Sequence, residues 1–508
     1  MAEEKINVEV GKYTLESLTT GMYSEPKIIY REYIQNSVDS LEQALAAGII
    51  DENSMRIEIT VEKDYGCIRV SDNGTGINVA NAPKTLLNIG NSSKRQSTNR
   101  GFRGIGRLGG MSYCDKLIFI TSAEGEDKKT TITFDCSKLR EMLVPGSYDQ
   151  YNLQEVLDEI TDIKVEDEKI KRHYFTVDME GVSSFSDLLD IDKVKEYVSQ
   201  VAPVAYEDRH FMFASHIEQE ILNKGYKIEE FPIYLGDSED TLTAVFKPYH
   251  TRFKLRGENK DEMTSVKFFD VDVDGESVAY GWYGVCDWKG TLSNSQISGL
   301  RFRKGNILIG DDRTATKIFK SNQRFNGWTQ GEIFVVSDKL IPNARRDDFE
   351  QNETYLKFID NLSSTIGPEI AKEIRIASTR RNDTNLKKIK EINAHIDEAE
   401  KEMESGFNSN VDKNKTIETL KESLSGLADM KPKDDQQSEM KKELIERLQV
   451  AQQQVADCDN YKLNTKNFNR KIKKTLNIVA DVLSERLTKE TVSEILDEIN
   501  ERLDSEKD

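Results

Sequence analysis

Between Arg31 and Gly110 the chain sets three motifs in a fixed order, and few folds can accommodate all three. The first is a helix. Apolar residues at Ile29, Tyr33, Leu41 and Leu45 give Ser24–Ala47 a helical period. Glu32 and Asn36 stand one turn apart and share a face, with Asp39 and Ser40 following on about the same side. Such a polar stripe turned toward a core is costly unless something binds there, whereas on an ordinary surface it would simply be solvated. The second motif is a strand, Cys67–Ser71, that runs into Asp72-Asn73-Gly74-Thr75-Gly76-Ile77. A carboxylate at a strand end followed by Gly-x-Gly builds a tight turn with the acid aimed into a cavity. Alone, the same signature occurs in calcium loops and plain turns. The third motif begins with Ile89-Gly90-Asn91-Ser92-Ser93-Lys94. It continues as Asn99-Arg100-Gly101-Phe102-Arg103-Gly104-Ile105-Gly106, which leads into a helix start. Backbone N–H groups in such a loop, with a helix N-terminus behind them, cradle anions, and Lys94 and Arg100 add charge. The loop lacks the βαβ setting of a dinucleotide fingerprint, and the chain has no GxxxxGK[ST].

In this order the motifs resemble the GHKL ATPase superfamily, which includes HtpG-type heat-shock chaperones, MutL, gyrase B subunits, MORC proteins and histidine kinases. The resemblance covers roughly residues 15–180. The Gly90–Lys94 lid and the short Gly101–Gly106 loop look most like the chaperone, MutL and MORC branches. What the resemblance implies is an α+β chain with an N-terminal Bergerat (GHKL) α/β sandwich that binds ATP with Mg²⁺. Glu32 falls at the position of the general base that activates water, and Asn36 at that of the Mg²⁺ ligand, with Asp39 and Ser40 beside it. Asp72 matches the acceptor of the adenine amino group, and Gly74, Gly76 and Ile77 the turn against adenine. Ser93 and Lys94 match the lid. Gly101, Phe102, Arg103, Gly104, Ile105 and Gly106 match the loop around the phosphates. One element departs from the family: the last strand, Arg172–Met179, carries no Gly-Thr pair, and Thr176 or Thr121 stands in for it.

Composition narrows the alternatives. A length of 508 residues predicts about three to four domains. The formal charge of −19 argues against a whole-surface nucleic-acid binder while permitting a local basic groove. No run of about 18 apolar residues occurs, and the charged start Met1-Ala2-Glu3-Glu4-Lys5 lacks a signal-peptide core, so a cytoplasmic protein without a membrane span is expected. Five cysteines without CxxC spacing and five scattered histidines give no disulfide framework and no zinc pattern.

Texture divides the chain into residues 1–215, the ATP-binding region; 225–365, strand-rich in stretches such as Thr243–Pro248 and Ser277–Val285; and 366–508, of helical composition. Gly331–Asp347 is similar to the chaperone middle-domain stretch that ends in a strand, a polar turn and an arginine. By that match Arg346 reaches the terminal phosphate, with Arg345 as its neighbour, and the middle region is a transducer-like α/β domain. In the tail, Ile389, Ile392, Ile396, Ala399 and Met403 form an apolar seam of about two to three heptads. The interruptions at Gly406–Asn414 and Met430–Gln437 predict antiparallel hairpins, a coiled-coil or oligomerisation region, followed by helical stretches Met440–Val455 and Phe468–Leu503. The function implied is an ATP-gated homodimeric clamp, chaperone-like or MORC-like, acting on a protein client. The alternatives are a nucleotide-switched module without hydrolysis and a clamp that engages DNA. A histidine kinase would need its phospho-accepting histidine upstream of the ATP domain, whereas His395 lies downstream.

Overall fold

A computed structural model of the chain describes residues 10–19, 25–88, 106–257, 259–407, 410–460 and scattered positions between 478 and 502. The fold is mixed α+β and divides into one unit of residues 1–374 and a second of residues 375–508.

The first unit opens with α1 (Tyr13–Thr19) and α2 (Ile28–Ala46). Helical spacing extends back to Ser24, but α2 begins only after Pro26, whose turn closes with the Ile28 N–H on Glu25 O. The strands β1 (Ile57–Glu62), β2 (Cys67–Asp72), β3 (Lys116–Ser122), β4 (Lys128–Asp135), β5 (Thr161–Asp167), β6 (Tyr174–Glu180), β7 (Ile233–Gly236) and β8 (Thr243–Ala244) form one sheet. Their order is β5-β4-β3-β6-β2-β1-β7-β8. Pairing is antiparallel except where β7 runs parallel to β1, with Ile57 opposite Ile233. Of the stretch Thr243–Pro248, only the first two residues pair, because Pro248 has no N–H to donate and Lys247 turns into the interior. Alternation does the rest: Ile57, Ile59, Val61, Ile68, Val70 and Val177 are buried on the face that α2 covers with Ile29, Tyr30, Tyr33, Ile34, Val38 and Leu41. Each such side chain contributes about 1.5–3 kcal/mol on burial. This core holds α2 still while its polar stripe faces a cavity.

A second sheet, ordered β11-β12-β15-β13-β14, is built from β11 (Ser265–Val273), β12 (Glu276–Val285), β13 (Gly299–Lys304), β14 (Ile307–Ile309) and β15 (Gln330–Val335). A short hairpin, β9 (Arg252–Lys254) with β10 (Lys260–Glu262), precedes it. β13 and β15 run parallel, which places Arg301 opposite Glu332 and Arg303 on the same face.

In the second unit, three helices that span Thr384–Ser405, Asn410–Ala428 and Asp435–Asp457 enclose a core of Ile392, Ile396, Ala399, Leu420, Leu427 and Leu448. The Thr416 hydroxyl bonds Glu402, so the second helix starts beside the end of the first. Asn385 bonds Gln437 and Phe407 bonds Asn460, so the third runs parallel to the first. The seam at Ile389 and Ile396 is thus filled from within the chain. Helix resumes at Asn410, inside the predicted break, and the third helix starts at Asp435, where the Asp434 carboxylate accepts the Gln437 N–H at 2.8 Å. Most of Phe468–Leu503 lies outside the described residues.

Candidate active site

A cavity of about 520 Å³ lies between α2 and the β2 end of the first sheet. From α2 it is lined by Asn36, Asp39 and Ser40, and from the turn after β2 by Asp72, Gly76 and Ile77. Leu86, Phe175 and Val177 supply apolar wall. The helix and the turn are tied directly: the Ser40 hydroxyl accepts the Thr75 N–H at 3.1 Å, and a Cβ on Gly74 would lie 2.1 Å from that oxygen. Asp72 is buried, and its Oδ1 accepts the Gly74 N–H at 2.9 Å, which fixes the carboxylate at the mouth of the turn. Gly76 has φ +61° and approaches so closely that a Cβ would fall 1.8 Å from Ser122 O, so only glycine fits. The two threonines that the sequence offers in place of a Gly-Thr pair serve this turn differently. Thr121 Oγ1 accepts the Ile77 N–H at 2.8 Å and donates to Tyr174 O at 3.0 Å, whereas Thr176 bonds Ser71 at 2.8 Å on the strand before it.

At the other end of the helix stripe sits Glu32, a buried carboxylate. Gly106 faces it, and a side chain there would begin 2.1 Å from Glu32 Oε2. Arg346 Nε stands 3.2 Å from Glu32 Oε1, and Arg31 Nε stands 3.8 Å from the same oxygen. Arg31 also donates to Arg345 O at 2.9 Å, which ties α2 to the 342–346 turn. Arg346 itself has φ +57°, a backbone conformation that costs a side-chain-bearing residue about 1–3 kcal/mol. The turn holds it there through Arg346 N–H to Asn343 O at 3.1 Å and Gly310 N–H to Arg346 O at 2.8 Å.

The structure therefore sets Asn36, Asp39, Ser40, Asp72, Gly76 and Ile77 on one cavity, with Gly74 packed against Ser40, and places Gly106 and Arg346 against Glu32 on the same helix. Ser93, Lys94, Gly101, Phe102, Arg103, Gly104 and Ile105 lie outside the described residues. After Gly106 the chain forms a 3-10 turn, Gly106–Ser112, in place of an α-helix start. Gly109 and Gly110 are poor helix formers, and the Gly110 N–H is taken by the Tyr33 hydroxyl at 3.1 Å. Arg31, Tyr33 and Arg107 are the participants that sequence reasoning missed. Arg31 had a signal in its place beside Glu32; Arg107, one residue past Gly106, had one only in its position. Among the described residues no cluster of three or more His, Cys, Asp or Glu side chains could hold a metal, and no helix is long and apolar enough to cross a membrane.

These features coincide with what the chain is similar to. Residues 23–164 match the family described as histidine kinase-, DNA gyrase B-, and HSP90-like ATPase. Chaperone protein HtpG of Rickettsia canadensis is 25% identical over 203 residues, 36% of this chain and 32% of that protein. HtpG of Rickettsia prowazekii is 27% identical over 167 residues, 29% of this chain and 26% of its own length. HtpG of Sulfurovum is 26% identical over 153 residues, 27% and 24% of the two chains. The matches span about a third or less of these curated relatives. The chain is related to the GHKL ATPase superfamily, and the matched region is HtpG-like.

Proposed function

We propose that the cavity binds ATP with Mg²⁺, that Glu32 activates water for attack on the terminal phosphate, and that the cycle opens and closes a homodimeric clamp. The observation that carries this reading is the placement of one buried carboxylate beside Gly106 and 3.2 Å from Arg346, at the end of a helix stripe that lines the cavity. Hydrolysis needs a base within reach of water, neutralised phosphate charge and little else. Glu32 is the base. Arg346 supplies a planar donor fork suited to phosphate oxygens. Asp72, fixed by its turn, accepts a hydrogen bond from the adenine amino group, and the glycine at position 76 lets the ring approach.

Metal binding fits the donor set. Asn36 offers one neutral oxygen and the described residues around it form no carboxylate cage, which suits an ion that arrives with polyphosphate. When bound, Mg²⁺ neutralises charge on the phosphate oxygens. Asn36 would hold it, and Asp39 and Ser40 complete the polar face of the helix.

The test is phosphate release by the wild-type chain and by Glu32→Ala at equal nucleotide occupancy. Loss of hydrolysis with ATP still bound supports the reading. Unchanged hydrolysis removes Glu32 from its role, and ATP-dependent partner binding in a chain that never hydrolyses ATP would establish the switch-only alternative. For the clamp, the mass in solution should double on addition of a non-hydrolysable ATP analogue. A protein client or DNA held inside the clamp is the load this reading implies.

A further inference from the structure

Arg107 lines the nucleotide cavity from the 3-10 turn that follows the Gly106 loop. Its side chain is half-buried, and among the described residues no carboxylate pairs with it. Nε donates to Leu86 O at 3.1 Å and an Nη to Asn88 O at 2.5 Å. Leu86 is in α3 (Ala82–Leu87), and Asn88 is its C-terminal cap. The segment from Ile89 to Lys94, read from the sequence as the lid, follows directly. Burial without a counter-charge pushes the Arg107 guanidinium down to about 10. A cation in that position has only neutral acceptors among the described residues, and an anion brought within reach is favoured. The backbone of Arg107 is fixed independently of its side chain, because the Tyr33 hydroxyl bonds Arg107 O at 3.4 Å and accepts the Gly110 N–H. The backbone of Arg107 is thus tied to α2, while its guanidinium is engaged by carbonyls at the C-terminal end of α3.

We infer that Arg107 is the polyphosphate sensor of this cavity: it recognises the charge of the nucleotide's phosphates and, in doing so, exchanges its hold on the Leu86 and Asn88 carbonyls, which couples phosphate occupancy to the C-terminal end of α3. The inference rests on the reading of the cavity as an ATP site. Its physical content is a competition for one donor fork. Carbonyl oxygens are neutral acceptors, whereas phosphate oxygens carry negative charge and match the guanidinium fork in pairs. A nucleoside without phosphates leaves the fork on the carbonyls, so adenosine and ATP should differ in their effect on residues 84–88 although both fill the adenine end.

The experiment compares ATP with adenosine on the full chain, by calorimetric titration and by amide hydrogen exchange across residues 82–88. In the wild type, ATP should change exchange at these amides and adenosine should not. Arg107→Met should weaken ATP at least tenfold, leave adenosine within about twofold and abolish the ATP-specific change in exchange. Arg107→Lys, which keeps the charge and loses the fork, should recover part of the affinity and little of the exchange change. Equal weakening of ATP and adenosine in Arg107→Met would show a merely structural residue and overturn the inference, as would ATP affinity and exchange that match the wild type. If the wild-type chain binds adenosine and ATP equally well, the sensor fails while the site survives; if it binds neither, the reading of the cavity fails and the sensor with it.

Discussion

Two carboxylates in the first unit are each flanked by two cations, and they differ in what lies on the remaining side. Glu332 on β15 is sealed. Lys247 Nζ reaches it at 2.8 Å, Arg303 and the Tyr206 hydroxyl bond it directly, and Trp282 Nε1 bonds Tyr206 Oη at 3.1 Å. Burial pushes Glu332 up, but Arg303 and Lys247 outweigh it and hold the carboxyl at about 2. Burial likewise drives Lys247 down to about 8 against the pull of Glu332. Glu32 has Arg346 and Arg31 at looser distances, a glycine in place of a wall, and a cavity along its helix. The same charge composition is a tightly bonded cluster in one place and, in the other, a looser one held beside a strained turn. The comparison teaches that a buried charge points to function when its surroundings leave room for a ligand, and to architecture when every lone pair already has a partner.

Mutation should separate the two. Glu332→Gln leaves two buried cations underpaired and should cost about 3–5 kcal/mol of stability in chemical denaturation. A loss below about 1 kcal/mol would mean that the cluster is not the structural centre described. The acid limb of stability follows from the same group. Its pKa of about 2 in the folded chain lies below the ordinary 4.5, so the stabilisation is complete above pH 4.5 and is lost as pH falls from there through 2. Denaturation midpoints followed down to pH 2.5 should show this part of the decline in the wild type and not in Glu332→Gln. Glu32→Ala should have the smallest effect on stability, within about 2 kcal/mol, because its ion pairs with Arg346 and Arg31 are longer than those of Glu332. If it destabilises as much as Glu332→Gln, the Glu32 cluster is architecture too.

Much of the site was legible because its signals are local. The spacing of Glu32 and Asn36 puts both on one helix face, and Asp72-x-Gly-x-Gly needs only six consecutive residues to define its turn. The apolar seam Ile389–Ala399 likewise declared a helix with one buried side. What stayed hidden was long-range. Arg31 meets Arg345 O across 314 residues of sequence, and Lys247 meets Glu332 across 85; no local pattern encodes either. The parallel pairing of β7 with β1 has the same character, because it brings Ile233 beside Ile57 from beyond a change in sequence texture. Arg107 escaped for a different reason: a single arginine after a glycine loop looks like any other until the described residues around it prove to include no acid paired with it.

The account depends on the cavity beside α2 taking up ATP through Asp72. Calorimetric titration of the full chain with ATP and Mg²⁺ tests that directly. One saturable site per chain, weakened at least tenfold in Asp72→Asn, is the result expected. The absence of any binding heat, or binding that Asp72→Asn leaves untouched, would contradict it.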